Sequence, residues 1–279
     1  MQDRSYRIRI INRMVFKILM LLLAACSIPV ISGCRFVPTD TPEYKKSNAS
    51  IISKYVRRVP KQWAENVPGV KTKLVTDDNV LALTLDACGS KTDSYDAKLI
   101  NYLIKENVQA TLFINARWID KFPDIFDKLA VNPLFEIENH GLMHRPCSVN
   151  GKSIYGIKGT KNVGQVVDEV EKNALKIESL TGRKPKFYRS GTAYYDEVSA
   201  EIVNELGYEI AGFSVLGDAG ASYSAKKVKE ALLKSQSGDI IICHMNHPEK
   251  ETAEGIIAAV PELKSRGFGF VKLQDYKLK

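Results

Sequence analysis

From Asn79 onward the chain alternates short apolar runs with longer amphipathic stretches. The runs occupy residues 80–85, 110–114, 134–137, 186–188, 208–213, 239–243 and 268–273. Between them apolar residues recur at helical spacing. Leu99, Ile100, Leu103 and Ile104 share one face of 96–106, and Val166, Val167, Val170, Ala174 and Ile177 share one face of 166–179. Strands alternating with helices of this length predict βαβ units and a parallel sheet, an α/β fold. Seven such units suit an incomplete barrel or a doubly wound sheet, and periodicity does not separate the two. Polar residues gather where the runs end: Asp86 after the first, Asn139-His140 after the third, Arg189 after the fourth, Asp218 shortly after the fifth and His244 after the sixth. In parallel α/β folds the catalytic face lies at the C-terminal ends of the strands. A barrel mouth would let all five sites converge.

The N-terminal region follows a different pattern. Arg4, Arg7, Arg9, Arg13 and Lys17 precede an apolar run over 18–30. That run falls short of the roughly 20 apolar residues of a spanning helix and fits the core of a secretory signal. It ends in Ile31-Ser32-Gly33-Cys34, similar to a bacterial lipobox in which the cysteine is lipidated. Leu23-Ala24-Ala25-Cys26 is a second candidate with a shorter apolar core, and a cleaved signal with incidental cysteines or an uncleaved anchor is the plainer alternative. The expectation is a signal peptide over 1–33, then export and lipid attachment through Cys34 in the cell envelope, facing the periplasm. Residues 34–75 read as a tether and N-terminal extension. Pro38 to Pro42 and the polar stretch 45–50 suggest a linker off the membrane, and 51–73 is open, a short helix packed outside the domain being one reading. Residues 76–279 form the single main domain.

Charge narrows the partners. Five of the 40 basic residues and one of the 32 acidic ones lie in 1–33, so the formal charge of +8 falls to +4 beyond them. That balance gives no reason to expect nucleic-acid binding.

The four histidines form two pairs, His140-Gly141-Leu142-Met143-His144 and His244-Met245-Asn246-His247. On a helical turn the first spacing would put two imidazoles on one face, suited to Zn²⁺. Together with its surroundings the pattern resembles the NodB-type polysaccharide deacetylases. Thr84-Leu85-Asp86-Ala87-Cys88-Gly89 is similar to their Thr-Phe-Asp-Asp-Gly motif, and His140–His144 matches His-x-x-x-His. The segment from Tyr188-Arg189 to Tyr194 sits where the family has Arg-Pro-Pro-Tyr, Asp218 lies near the fourth motif, and Ile241-Ile242-Cys243-His244 resembles Leu-x-x-His. The five motifs, in order, span nearly all of the main domain.

The resemblance implies a distorted (β/α)7 barrel and a metal-dependent amide hydrolase that uses Zn²⁺ or another divalent ion. Asp86 would be the general base, held in place by Arg189, and His244 the general acid, with Asp218 orienting Arg189 or His244. His140, His144 and Asp86 are the candidate metal ligands. A backbone N–H near Tyr194 would face the oxyanion, and Tyr194 and His247 would meet substrate, His247 having a helix-start role as its alternative. One departure matters: the family's second aspartate, its third metal ligand, aligns with Ala87. Asp86 itself, Asp93, Asp96 or the Cys88 thiolate could complete the site, or the barrel could be inactive. Cys88 and Cys147 could form a disulfide in an oxidising compartment, or remain small buried hydrophobes with Cys243. Trp118, Tyr194 and Tyr195 could stack on sugars or simply pack.

The leading expectation is removal of N-acetyl groups from an N-acetylhexosamine polymer of the cell envelope. An O-acetyl esterase and a non-catalytic glycan-binding lipoprotein on the same fold are the alternatives.

Overall fold

The computed structural model describes residues 42–279. The signal segment, both lipobox candidates and the first part of the expected tether lie outside the described residues. The chain begins with helix α1 (Pro42–Tyr55), so the stretch 45–50, expected as linker, is helical. The cause is tertiary. Tyr55 belongs to the buried cluster that holds Val163, Val167 and Val203, Ile51 and Ile52 pack against that cluster, the Tyr55 hydroxyl donates to Glu205 at 2.7 Å, and Arg58 makes two hydrogen bonds to Glu201.

The order then runs β1 (Val70–Lys71), β2 (Val80–Ala87), α2 (Ala97–Lys105), β3 (Ala110–Ile114), α3 (Ala116–Lys121), α4 (Pro123–Ala130), β4 (Phe135–Asn139), α5 (Val163–Thr181), β5 (Phe187–Tyr188), α6 (Glu197–Glu205), β6 (Glu209–Ala211), β7 (Val215–Leu216), α7 (Ala225–Leu232), β8 (Ile240–His244), α8 (Thr252–Ser265) and β9 (Gly269–Phe270). Each of the seven apolar runs holds a strand. The two strands outside those runs, β1 and β7, have two residues each, too few to show a period. Caps fix several helix starts: Asp96 accepts from Leu99 N, Asn162 from Gln165 N and Asp196 from Ser199 N.

All strand pairs are parallel, in the order β1-β6-β5-β4-β3-β2-β8-β7, with β9 beside β2. This order forces the sheet to curl. β6 and β7 stand six places apart, about 29 Å in a flat sheet. Only residues 212–214 join them, a reach of roughly 15 Å at most. The result is an α/β half-barrel of parallel strands with helices outside, the single-domain architecture expected from the sequence.

β2 shows how the layers form. Leu81, Leu83, Leu85 and Ala87 enter the layer between sheet and helices, beside Leu99, Leu103 and Trp118. Ala82 belongs to the interior cluster with Phe113, Phe187 and Ile240. Alternation therefore turns Thr84 and Asp86 inward as well. The strand runs two residues past the apolar run, so Asp86 lies within it, opposite His244 of β8 in register.

Candidate active site

Arg189, just past β5, spans the curled interior. Its Nη1 donates to Asp86 Oδ1 at 2.7 Å and to Thr84 Oγ1 at 2.8 Å, while Nε and Nη2 donate to the carbonyls of Ala211 and Gly212, each at 3.0 Å. The guanidinium is fully buried and lies 4.1 Å from the centre of the Phe113 ring. One side chain thus ties β2 to the end of β6 and fixes the Asp86 carboxylate. The other carboxylate oxygen remains on the side of His140, 3.6 Å from its Nε2.

The first histidine pair does not lie on a helix, as its spacing had suggested. His140 follows β4, and the chain turns back through Gly141 (φ +79°) and His144 (φ +57°) in an irregular loop. Glu169 of α5 holds that loop by accepting the N–H groups of Met143 and Arg145 at 2.9 and 3.1 Å. Gly191 seats it from below, since a Cβ there would come within 2.3 Å of the His144 carbonyl carbon. The two imidazole centroids end 4.9 Å apart.

The donor chemistry of this corner fits a metal ion. His140 Nδ1 lies 3.0 Å from the Arg189 carbonyl, which it meets as an N–H donor, so the lone pair of Nε2 points toward Cys88 Sγ, 3.9 Å away. His144 Nε2 is buried with no hydrogen-bond partner among the described residues. Burial pushes both imidazoles down, His144 strongly, toward the neutral state a ligand needs. Cys88 joins them: one ligand atom from each of Cys88, His140 and His144 lies within 4.8 Å of the others. Asp86, expected as a ligand, stands outside this group with one oxygen committed to Arg189. Asp93 accepts from Ser90 N at 2.6 Å and Asp96 caps α2, so neither joins it.

Beside Asp86 on the neighbouring strand β8, His244 is oriented by Asp218, which does not contact Arg189. Asp218 Oδ1 lies 2.9 Å from His244 Nδ1, and its Oδ2 accepts from His244 N at 2.7 Å and from Thr252 Oγ1 at 3.0 Å. Burial opposes charge on both partners. The ion pair nevertheless prevails, carrying the imidazole well above its usual range and holding Asp218 below the usual carboxylate range. Asp218 is presented by a left-handed turn in which Ala219, Gly220 and Ala221 all have positive φ.

These groups open on a cavity of about 570 Å³ lined by Asp86, Cys88, His144 and His244. His247 also lines it, 3.6 Å from Asp93; the following helix starts only at Thr252, so His247 is not its cap. Tyr194 does not line it. Ala193 (φ +54°) turns the chain so that Thr192 faces the cavity, and the Tyr194 ring rests against Trp63 and Tyr155 at centroid distances of 5.6 and 5.8 Å. Tyr155, exposed at the rim, and Glu65 complete that wall. Sequence reasoning missed Thr192, Tyr155 and Glu169. Thr192 and Tyr155 sit in loops with no periodic signal, and Glu169 hides in an amphipathic helix.

Trp118 is fully buried with its indole N–H on the Ser94 carbonyl, and the buried Tyr195 hydroxyl accepts from Ser190 N, so both are packing residues. Cys88, Cys147 and Cys243 are free thiols, which excludes the 88–147 bridge: Cys147 is packed in the cluster with Tyr188 and Tyr195, away from the cavity lining.

Residues 73–211 match the family model described as polysaccharide deacetylase. The peptidoglycan-N-acetylmuramic acid deacetylase PdaA of Bacillus subtilis is 22% identical over 205 residues, 72% of each chain. Its solved structure, a family 4 carbohydrate esterase, aligns with a TM-score of 0.60 at 20% identity, covering 82% of this chain and 88% of that one. A peptidoglycan N-acetylglucosamine deacetylase aligns at 0.63 and 23% identity, covering 75% and 92%. A carbohydrate esterase family 4 pseudoenzyme from Bacillus anthracis aligns at 0.61 and 19%, covering 76% and 69%. At these identities the structural likeness speaks to the fold.

Proposed function

The chain belongs to the polysaccharide deacetylase family, and from that premise we propose that it removes N-acetyl groups from an N-acetylhexosamine polymer of the cell envelope by metal-assisted acid/base hydrolysis. The observation that carries this reading is that Asp86 and His244, neighbours in register on β2 and β8, open on one cavity, each held by its own buried partner, beside the imidazole pair of His140 and His144, whose His144 Nε2 has no hydrogen-bond partner among the described residues. A divalent ion on His140 and His144 would polarise the acetamide carbonyl and acidify water. Asp86 takes the proton of the attacking water on the oxygen that Arg189 leaves free. Thr192 lines the cavity, and its N–H, which has no hydrogen-bond partner among the described residues, is the donor we assign to the oxyanion as the carbonyl carbon becomes tetrahedral. His244 then gives its Nε2 proton to the departing amine, while Asp218 keeps Nδ1–H in place and stabilises the imidazolium.

Export and lipid attachment through Cys34 are part of the same proposal, since a tethered hydrolase facing the periplasm meets its polymer at the membrane surface. The second reading, a non-catalytic glycan-binding protein, draws on Ala87, whose side chain sits in the hydrophobic layer and leaves that position without a ligand.

Acetate release from N-acetylated glycans by the detergent-solubilised full chain, compared with His244→Ala, tests the proposal. Release that depends on His244 supports it, and a Cys34→Ser form recovered in the soluble fraction supports the anchor. Glycan binding with no acetate released would favour the second reading, and a Cys34→Ser form that stays in the membrane would sink the anchor.

A further inference from the structure

Cys88 is the cavity residue to which the acid/base steps give no task. Its place follows from strand alternation: Asp86 faces the interior, Ala87 enters the outer hydrophobic layer, and Cys88 returns to the cavity. Its Sγ lies 3.9 Å from His140 Nε2. Ligand atoms at the usual zinc distances from a shared tetrahedral centre stand about 3.3–3.6 Å apart, so this contact is a few tenths of an ångström longer than in a closed site, and the three ligand atoms together lie within 4.8 Å of one another. His144 Nε2, buried and unpartnered, supplies the third corner.

We propose that the Cys88 thiolate is the third protein ligand of the metal, completing a His₂Cys centre in place of the carboxylate lost at Ala87. The inference rests on the metal-assisted reading above. A thiolate brings the same single negative charge as a carboxylate, so the electrostatic demand of the site is unchanged while its softness is not. Such a donor set favours Zn²⁺ and Co²⁺ over Mg²⁺ and Mn²⁺. On binding, the S–H bond is exchanged for an S–metal bond and one proton leaves to solvent. Asp86, already fixed by Arg189, is left free to act as the base.

The test is cobalt titration of the demetallated full chain under reducing conditions, followed by absorption. One equivalent of Co²⁺ is expected to give visible bands together with a near-ultraviolet thiolate-to-cobalt charge-transfer band. Cys88→Ser is expected to lose that band and to bind Zn²⁺ more weakly by over the roughly 10–100-fold that losing an outer-shell partner costs. Cys88→Asp is expected to lose the band, retain binding and move the preference toward Mn²⁺. Stoichiometric cobalt uptake without the band, or with a band that survives in Cys88→Ser, would overturn the assignment while leaving the histidine pair as a metal site. No uptake at all would overturn the metal reading and this inference with it.

Discussion

At the scale of single residues, the pair Asp218 and His244 shows how burial and charge are traded. Isolation from water disfavours the imidazolium, yet the charge of the Asp218 carboxylate and its hydrogen bond at Nδ1, with a smaller contribution from Cys88, reverse the balance. If Asp218 acts only through His244, the two substitutions must not add. Asp218→Asn is expected to lower kcat within the roughly 10²–10⁴-fold range of a positioned general acid, with KM little changed. In a His244→Ala background the same change should cost almost nothing further. Steady-state kinetics on the four proteins decide the matter, and multiplicative losses would mean that Asp218 has a separate role.

At the scale of elements, the loop after β4 is the part whose shape the sequence concealed. The strands were legible because a parallel sheet covered on both faces leaves uninterrupted apolar runs, and the polar residues that end those runs marked Asp86, His140, Arg189 and His244. The spacing of His140 and His144 was legible too, but it suggested a helical turn. The actual loop exists because Glu169 takes two of its N–H groups and Gly191 leaves room beneath His144, contacts made across 24 and more residues of chain. No periodicity reports such contacts, which is also why Thr192 and Tyr155 went unnoticed. Gly191→Ala tests this account. The added methyl has no space against the His144 backbone, and His144, already at positive φ, has little slack to yield. Zinc affinity is expected to fall roughly 10–100-fold, as for loss of a supporting contact, with the circular dichroism spectrum retained. Unchanged affinity by calorimetric titration would show that Gly191 does not set the ligand's position.

At the scale of the whole molecule, the barrel has an open end that carries the chemistry and a closed end sealed by the C-terminal segment. Thr111 Oγ1 donates to Glu136 Oε2 at 2.7 Å and accepts from Leu273 N, the Gln274 N–H reaches the same Glu136 oxygen at 3.2 Å, and Leu278 bridges to Leu74. Glu138 lies beside Glu136 on β4 and accepts the Phe187 N–H at 2.6 Å. The pattern Phe135-Glu136-Ile137-Glu138 would suit a strand with one wet face, yet both carboxyls are buried. Burial first, and then the neighbouring Glu136, carries Glu138 well above the usual carboxylate range, and burial raises Glu136 as well. A raised native pKa fixes the sign of the pH dependence. Below the unfolded value of about 4.3 both states hold the proton and the contribution to stability is complete. Above it the unfolded chain ionises while the native carboxyl stays protonated, and stability drains away until pH passes the native value. Glu138→Gln keeps an oxygen for the Phe187 N–H and offers an amide to Glu136 without a proton to lose. It is expected to match the wild type near pH 4 in urea unfolding and to become progressively more stable than it as pH rises, about 1.4 kcal/mol for each unit by which the native pKa is raised. A difference that stayed constant with pH would mean that Glu138 titrates alike in the folded and unfolded chains, and that the closed end of the barrel is held by packing and not by a buried proton.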